Sequence, residues 1–184
     1  MRKIYVLFIL PFWCLGADFS TLYKKHYRDA ISELSKLKVR SSNKKLVTEM
    51  YNEFLNHQNS KNNNDITINL MLLSKVSYSL KTYDYDVNKK LISEYLYTLT
   101  EHDEDHIRAY TITNIGHLSR SKDYLFLKDG LLKENKDFKH YIWALYSNCN
   151  YRNDLASEKI EIKDKELRNY YNYRKNDLTD FFEC

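Results

Sequence analysis

From Ser20 onward, apolar residues recur every three or four positions. Tyr23, Tyr27, Ala30, Ile31 and Leu34 share one helical face, with Lys24, Lys25, Arg28 and Glu33 opposite. A second stripe, Leu46, Val47, Met50, Tyr51, Phe54 and Leu55, follows the cap candidates Ser42 and Asn43. It runs into an Asn-rich polar stretch, His57 to Asp65, that predicts a loop. The segment from Ile66 to Leu80 is apolar nearly all round (Ile68, Leu70, Met71, Leu72, Leu73, Val76). Such a helix needs neighbours on several sides, so it is expected at the centre of the domain. Asp86 is the expected cap of a further helix carrying Val87, Leu91, Ile92, Tyr95, Leu96 and Leu99.

Two later segments open on acids, Asp103 to Leu118 and Asp137 to Tyr146. Sliding one onto the other by 31 residues pairs Ile107 with Phe138, Tyr110 with Tyr141, Ile112 with Trp143 and Ile115 with Tyr146. A period in the thirties built on paired helices marks stacked helical repeats. The run Asp105-His-Ile-Arg-Ala-Tyr, with Gly116 ending its helix and a leucine-rich helix after it, resembles a HEAT-type repeat over residues 103–148. The next unit departs from that pattern: Lys139 stands in place of Arg108, and Tyr146-Ser147 in place of Ile115-Gly116. The resemblance implies an α-solenoid of stacked helical hairpins and brings no catalytic residues with it. The tail, Asp154 to Cys184, reads as one long last helix with Leu167, Tyr170 and Tyr171 on its apolar side.

The amino end has a different character. Arg2 and Lys3 precede the apolar run Ile4 to Leu10, and the stretch closes in Cys14-Leu-Gly-Ala17. That is the layout of a secretory signal peptide, and the run is short of the roughly 20 residues a spanning helix needs. Residues 1–17 are therefore expected to be removed, leaving 18–184 as a single domain in the periplasm or outside the cell, with no transmembrane segment. The lack of any Asn-x-Ser/Thr sequon agrees with a bacterial source. Trimming also removes Pro11, the only proline, and leaves Gly116 and Gly130 as the only glycines. Sandwiches and barrels take their turns largely from those two residue types, so the expected class is all-α. The formal charge of +4 gives no support to a nucleic-acid partner.

Cys149 and Cys184 then form an even pair in an oxidising compartment. They read either as a disulfide, worth roughly 4 kcal/mol through loop closure, or as two unrelated thiols. Cys14 offers an alternative fate for the amino end, a lipid anchor on an envelope-associated scaffold.

Candidate chemistry is sparse. His102-Asp-Glu-Asp-His106 has two histidines four apart, as a metal site on one helix would need. The same acids are also what a helix N-terminus favours, and the expectation is that one helix ends and another starts here. A weaker alternative is a metal hydrolase centred on His102, His106 and His117. His26 and His140 read as partly exposed polar residues. No nucleophile elbow, phosphate loop or paired-Cys motif is present, so the chain is expected to be non-enzymatic, without cofactor or resident metal.

Two features point to a protein partner. Lys24, Lys25 and Arg28 open a basic patch, which is either a solvated face or a contact for acidic groups. Tyr95, Tyr97, Tyr170, Tyr171 and Tyr173 belong to a set of tyrosines that reads either as interface anchors or as codon bias in an AT-rich genome. The expected function is an exported protein-binding module, in particular a periplasmic immunity-type inhibitor of a secreted toxin or cell-wall hydrolase.

Overall fold

The structure, a computed structural model, describes residues 18–37, 39, 43–82, 88–148 and 159–181. Among these the chain is all-helical. A 3-10 segment, Phe19–Lys24, leads into α1 (Tyr27–Lys36), α2 (Lys44–His57), α3 (Asn63–Thr82), α4 (Lys89–Thr98), α5 (Asp105–Leu118), α6 (Ser121–Leu132), α7 (Phe138–Ser147) and α8 (Lys165–Phe181). The signal segment with Cys14, the expected caps Ser42 and Asp86, and the Cys149–Cys184 pair lie outside the described residues.

Helix starts follow local side-chain chemistry. Asn43 Oδ1 accepts the Leu46 amide of α2 (3.2 Å). Asn88, rather than Asp86, does the same for Leu91 of α4 (3.0 Å). Each side chain satisfies one of the amides that a helix start leaves without a partner. The Asn-rich stretch is a shorter loop than expected, because α3 already begins at Asn63, and its asparagines are put to similar use. Asn62 Oδ1 accepts from the Asn64 amide (2.8 Å), while Asn64 takes the Tyr27 amide (2.6 Å) and donates to the Lys25 carbonyl (3.0 Å). That single amide ties the start of α1 to the start of α3.

The two asparagine caps belong to an internal repeat. At a constant offset of 45 residues, Asn43-Lys-Lys-Leu46 matches Asn88-Lys-Lys-Leu91, Glu49 matches Glu94, His57 matches His102, Asn69 matches Asn114, and Leu73-Ser74 matches Leu118-Ser119. The structure repeats with it: Lys45–Glu49 and Lys90–Glu94 are equivalent i,i+4 pairs. Val47, Tyr51 and Phe54 are buried as are their counterparts Ile92, Leu96 and Leu99.

Helix α3 packs against α1, α2 and α5, and α5 in turn against α4, α6 and α7. Thus α3, α5 and α7 form a row, α2, α4 and α6 lie against members of it, and α8 rests on α7. Ile68, Leu70, Leu72, Leu73 and Val76 are fully buried, as expected of a helix without a polar face. Both glycines serve this packing. A Cβ on Gly116 would overlap the Ala144 carbonyl oxygen, and one on Gly130 would overlap the Tyr141 ring. Gly116 does not end its helix, as the sequence suggested. α5 continues to Leu118 and stops at Ser119, which is left-handed (φ 56°). The tail also differs from expectation, since residues 159–164 are not helical. They are pinned where the Glu134 carboxylate accepts the Lys163 and Asp164 amides (2.6 and 2.7 Å).

Candidate functional site

The polar turns α2–α3, α4–α5 and α6–α7 each join an outer helix to a helix of the central row. Between the first turn and α4 lies a cleft of about 610 Å³. One rim is the turn itself, residues 58–61. The opposite rim is Glu94 and Thr98, both exposed, with half-buried His102. Ile66 of α3 and Leu91, Tyr95 and Leu99 of α4 supply the apolar lining. Polar edges around an aliphatic floor suit an uncharged or weakly charged ligand better than a bare ion.

Behind that lining the polar groups are committed to one another. Tyr95 meets Phe54 edge-on (centroids 5.0 Å). Burial pushes its hydroxyl up to about 12, against the pull of Asn69 beside it. Asn69, fully buried, accepts from the Tyr23 hydroxyl and donates to the His57 carbonyl (3.0 Å). The His57 ring stacks on Tyr23 (3.6 Å, 7°). Its Nδ1 faces the Glu53 carbonyl and carboxylate at 3.2 and 3.3 Å. Burial, with Glu53, Tyr95 and Asp65 nearby, raises the Tyr23 hydroxyl far above its usual range. A phenol held neutral and bonded in this way fixes the wall rather than exchanging protons.

The space between the second and third turns is smaller, about 210 Å³, and Arg108 runs across it. This guanidinium is 3% exposed. Its Nε donates to Asp137 (3.0 Å), its Nη1 to the His102 and Asp103 carbonyls (2.6 and 2.9 Å), and its Nη2 to Asp105. Burial opposes the charge, but the Asp137 and Asp105 bonds outweigh it and hold the pKa above its ordinary value. Asp105 in turn is held low by its bond to Arg108. A second closed set sits at the start of α6. There the buried Asp123 accepts from Ser93 (3.0 Å), Tyr97 (2.6 Å) and both ends of Arg120 (2.7 and 2.9 Å).

The predicted site residues scatter. His102 lies in the α4–α5 turn, where Nδ1 accepts the Glu104 amide (3.1 Å). His106 sits in the first turn of α5, its ring parallel to Tyr27 (5.4 Å) and its Nε2 3.2 Å from Thr67 Oγ1. The two therefore answer to different neighbours. Among the described residues no three His, Cys, Asp or Glu side chains are grouped to hold a metal. His26 caps α1 by accepting the Arg28 amide, and His117 is half-buried near the end of α5. Burial lowers the His140 pKa.

Of the basic candidates, Lys24 and Arg28 are exposed, with Arg28 against the Tyr27 ring. Lys25 is paired with Glu33. Tyr95 lines the cleft, whereas the Tyr97 hydroxyl is bound to Asp123. Tyr171 is buried in the core and offers no surface, Tyr170 is half-buried, and Tyr173 is exposed. No helix among the described residues is long and apolar enough to cross a membrane. No protein-family model matches the chain, and no curated protein or solved structure is significantly similar to it.

Proposed function

We propose that this chain is an exported, non-enzymatic protein-binding module that grips a segment of its partner in the cleft beside α4. The observation that carries this reading is the contrast between joints filled by closed polar sets and a joint left open. Arg108, Asp123, Asp137, Asn69 and Tyr23 are each closed into internal hydrogen bonds. The cleft, by comparison, keeps open space beside its rim at residues 58–61, Glu94 and Thr98. A preformed cleft on packed helices binds without paying to order its own walls. The row α3, α5, α7, with its 45-residue repeat, supports the finer architectural reading as well, a HEAT-like stack of helical hairpins. Within the binding class, the form that fits an exported chain with no chemistry of its own is an immunity-type inhibitor covering a secreted toxin or cell-wall hydrolase.

The test is a selection of displayed random peptides on the full chain, followed by titration of the selected peptides against Thr98→Trp, which fills the cleft from its rim. Peptides bearing an aliphatic side chain are expected to emerge and to lose at least about tenfold in affinity, the equivalent of 1.4 kcal/mol. Selected peptides that bind the variant as well as the parent would remove the cleft from the reading. Sequencing the amino end of the exported material checks the other half: a start near Asp18 is expected, and an intact Met1 overturns export.

A further inference from the structure

Both histidines of the motif His102-Asp-Glu-Asp-His106 touch Glu104, the residue before α5, and they touch different groups of it. His102 Nδ1 accepts the Glu104 amide (3.1 Å), which puts the proton of the neutral ring on Nε2. His106 presents its Nδ1 to the Glu104 carboxylate at 3.8 Å. Its Nε2 lies 3.2 Å from Thr67 Oγ1, whose own proton goes to the Asn63 carbonyl (2.7 Å), so Nε2 is the donor in that contact. Neutral His106 therefore has no proton on the nitrogen facing the carboxylate. Acid acts on the two rings in opposite senses. On His102 a second proton sets one donor against another, and the ring must leave the Glu104 amide. On His106 it adds an Nδ1–H aimed at the Glu104 carboxylate and leaves the Thr67 bond in place.

We infer that this motif is a proton-operated latch on the rim of the cleft, with Glu104 held by His102 at neutral pH and by His106 in acid. The shape of the turn does not call for a histidine. Asn or Ser accepts an amide two residues on whatever the pH. An imidazole does so only while neutral, and imidazoles change charge between about pH 5 and 8. His57, the counterpart of His102 in the 45-residue repeat, is wired the other way. Its Nδ1 faces the Glu53 carbonyl and carboxylate (3.2 and 3.3 Å), so it donates, and a further proton breaks nothing there. His102 lines the cleft, while its carbonyl receives Arg108 Nη1 (2.6 Å). Its backbone thus stays anchored when the ring is released, and the change falls on the rim. Glu94, on the same side of the cleft, and Glu101 and Asp103, in the turn, are the acids open to the released ring. Lys61 stands on the facing rim, and Arg108, Lys136 and Asp137 border the smaller space behind. His106 meets the Tyr27 ring from α1 (5.4 Å), whose hydroxyl accepts from Arg28 (3.4 Å), so Glu104 is the ion partner within its reach. The consequence for binding rests on the proposed role of the cleft, whereas the latch itself does not.

The test uses the full chain labelled with nitrogen-15, its imidazole and amide spectra followed from about pH 8 to 5. At the start both His102 and His106 should carry their proton on Nε2, and the Glu104 amide signal should move as His102 charges. His102→Asn accepts the same amide without charging, and most of that movement should vanish. The latch is overturned if neutral His102 carries its proton on Nδ1, or if the Glu104 amide moves equally in His102→Asn. Peptides selected on the cleft are then titrated at about pH 7.5 and 5.5. The parent should bind about fivefold more weakly at the lower pH, the worth of roughly one hydrogen bond at the rim. For His102→Asn the ratio of the two affinities should fall toward one, and His106→Gln, which keeps a donor for Thr67, should give an intermediate ratio. Equal ratios in the parent and His102→Asn overturn control of the cleft by the latch. If Thr98→Trp binds those peptides as well as the parent does, the cleft reading fails instead, and the spectra still decide the latch.

Discussion

Between the first turn and α4 the molecule leaves a cleft of about 610 Å³, whereas the space between the second and third turns is about 210 Å³ and is spanned by Arg108. His102 borders both. The first turn and the second are related by the 45-residue repeat, and one difference between them is the residue at the start of the inner helix. The residue 45 positions before Arg108 is Asn63, which is exposed and reaches no neighbouring turn with a charge. One long cation with Asp137 to receive it closes a gap, and its absence leaves a cleft. The lesson is that one architecture sets a closed joint beside an open one, and on the proposed reading the open joint is the one left for recognition.

Breaking the closed joint should produce the largest effect. Arg108→Met removes the donor to Asp137 and to two turn carbonyls, and strands a buried carboxylate. Removing one partner of a buried ion pair typically costs about 3–5 kcal/mol. Denaturant midpoints should fall accordingly, and a loss below about 1 kcal/mol would mean that Arg108 does not hold the second joint.

The glycines come next. Gly116→Ala places a methyl group against the Ala144 backbone, which cannot swing aside, so α5 and α7 must separate. Overpacking of this kind costs about 1–3 kcal/mol, in a helix interior where Ala is otherwise favoured over Gly by about 1 kcal/mol. Gly130→Ala meets the Tyr141 ring instead. A ring can tilt where backbone cannot, so thermal melts should show the smaller loss there. Equal losses would show that α6 and α7 are held as tightly as α5 and α7.

These sites also mark how far the sequence was legible. Periodicity locates most of the helices, although the stripe from Tyr23 to Leu34 breaks at Lys25 between the 3-10 segment and α1; Asn43 is one of two cap candidates, and the largely apolar run at Ile66 to Leu80 marks the central helix. Local signals sufficed because each depends on neighbours within a turn or two. Asp86 and Asn88 are both good caps by residue type, and the structure puts Asn88 at the start of α4. Gly116 reads as a helix end on the same local logic, although its missing Cβ serves a helix 28 residues further on. The 31-residue slide sets α5 against α7 and does not register the 45-residue repeat, whose clearest signature includes the polar Asn-Lys-Lys positions that an apolar pattern ignores. The cleft left no mark at all, since an open space is defined by side chains that are not there. Tyr95 stands out in the sequence by its residue type, and its place in the lining is visible only in the fold.

A pH series sharpens the comparison at the closed joint. Burial holds His140 below its ordinary value of 6.5, with Arg108 and Lys139 adding to that and Asp137 and Asp105 opposing it. The unfolded chain therefore takes up a proton near pH 6.5 that the folded chain accepts only at lower pH, and stability falls as pH drops below that value. His140→Gln should flatten the decline between pH 7 and 5, an effect smaller than either preceding one. An unchanged slope would place the origin of any decline elsewhere, for instance in the carboxylates of Asp105 and Asp18, which are held low and whose stabilisation is lost only at more acidic pH.

The smallest stability change is expected where binding should suffer most. Thr98 is exposed at the rim, its hydroxyl bonded only to the Tyr95 carbonyl of its own helix (2.7 Å). Thr98→Trp adds a ring over Leu91 and Leu99 without displacing a buried group, so unfolding free energy should stay within about 0.5 kcal/mol. If the first joint is open because nothing structural fills it, the added ring is tolerated and only a ligand notices. A loss of several kcal/mol would instead mean that the α2–α3 turn and α4 already close on one another in solution, and the distinction between the two joints would disappear. Differential scanning calorimetry of the parent and Thr98→Trp, run beside Arg108→Met, decides between these outcomes.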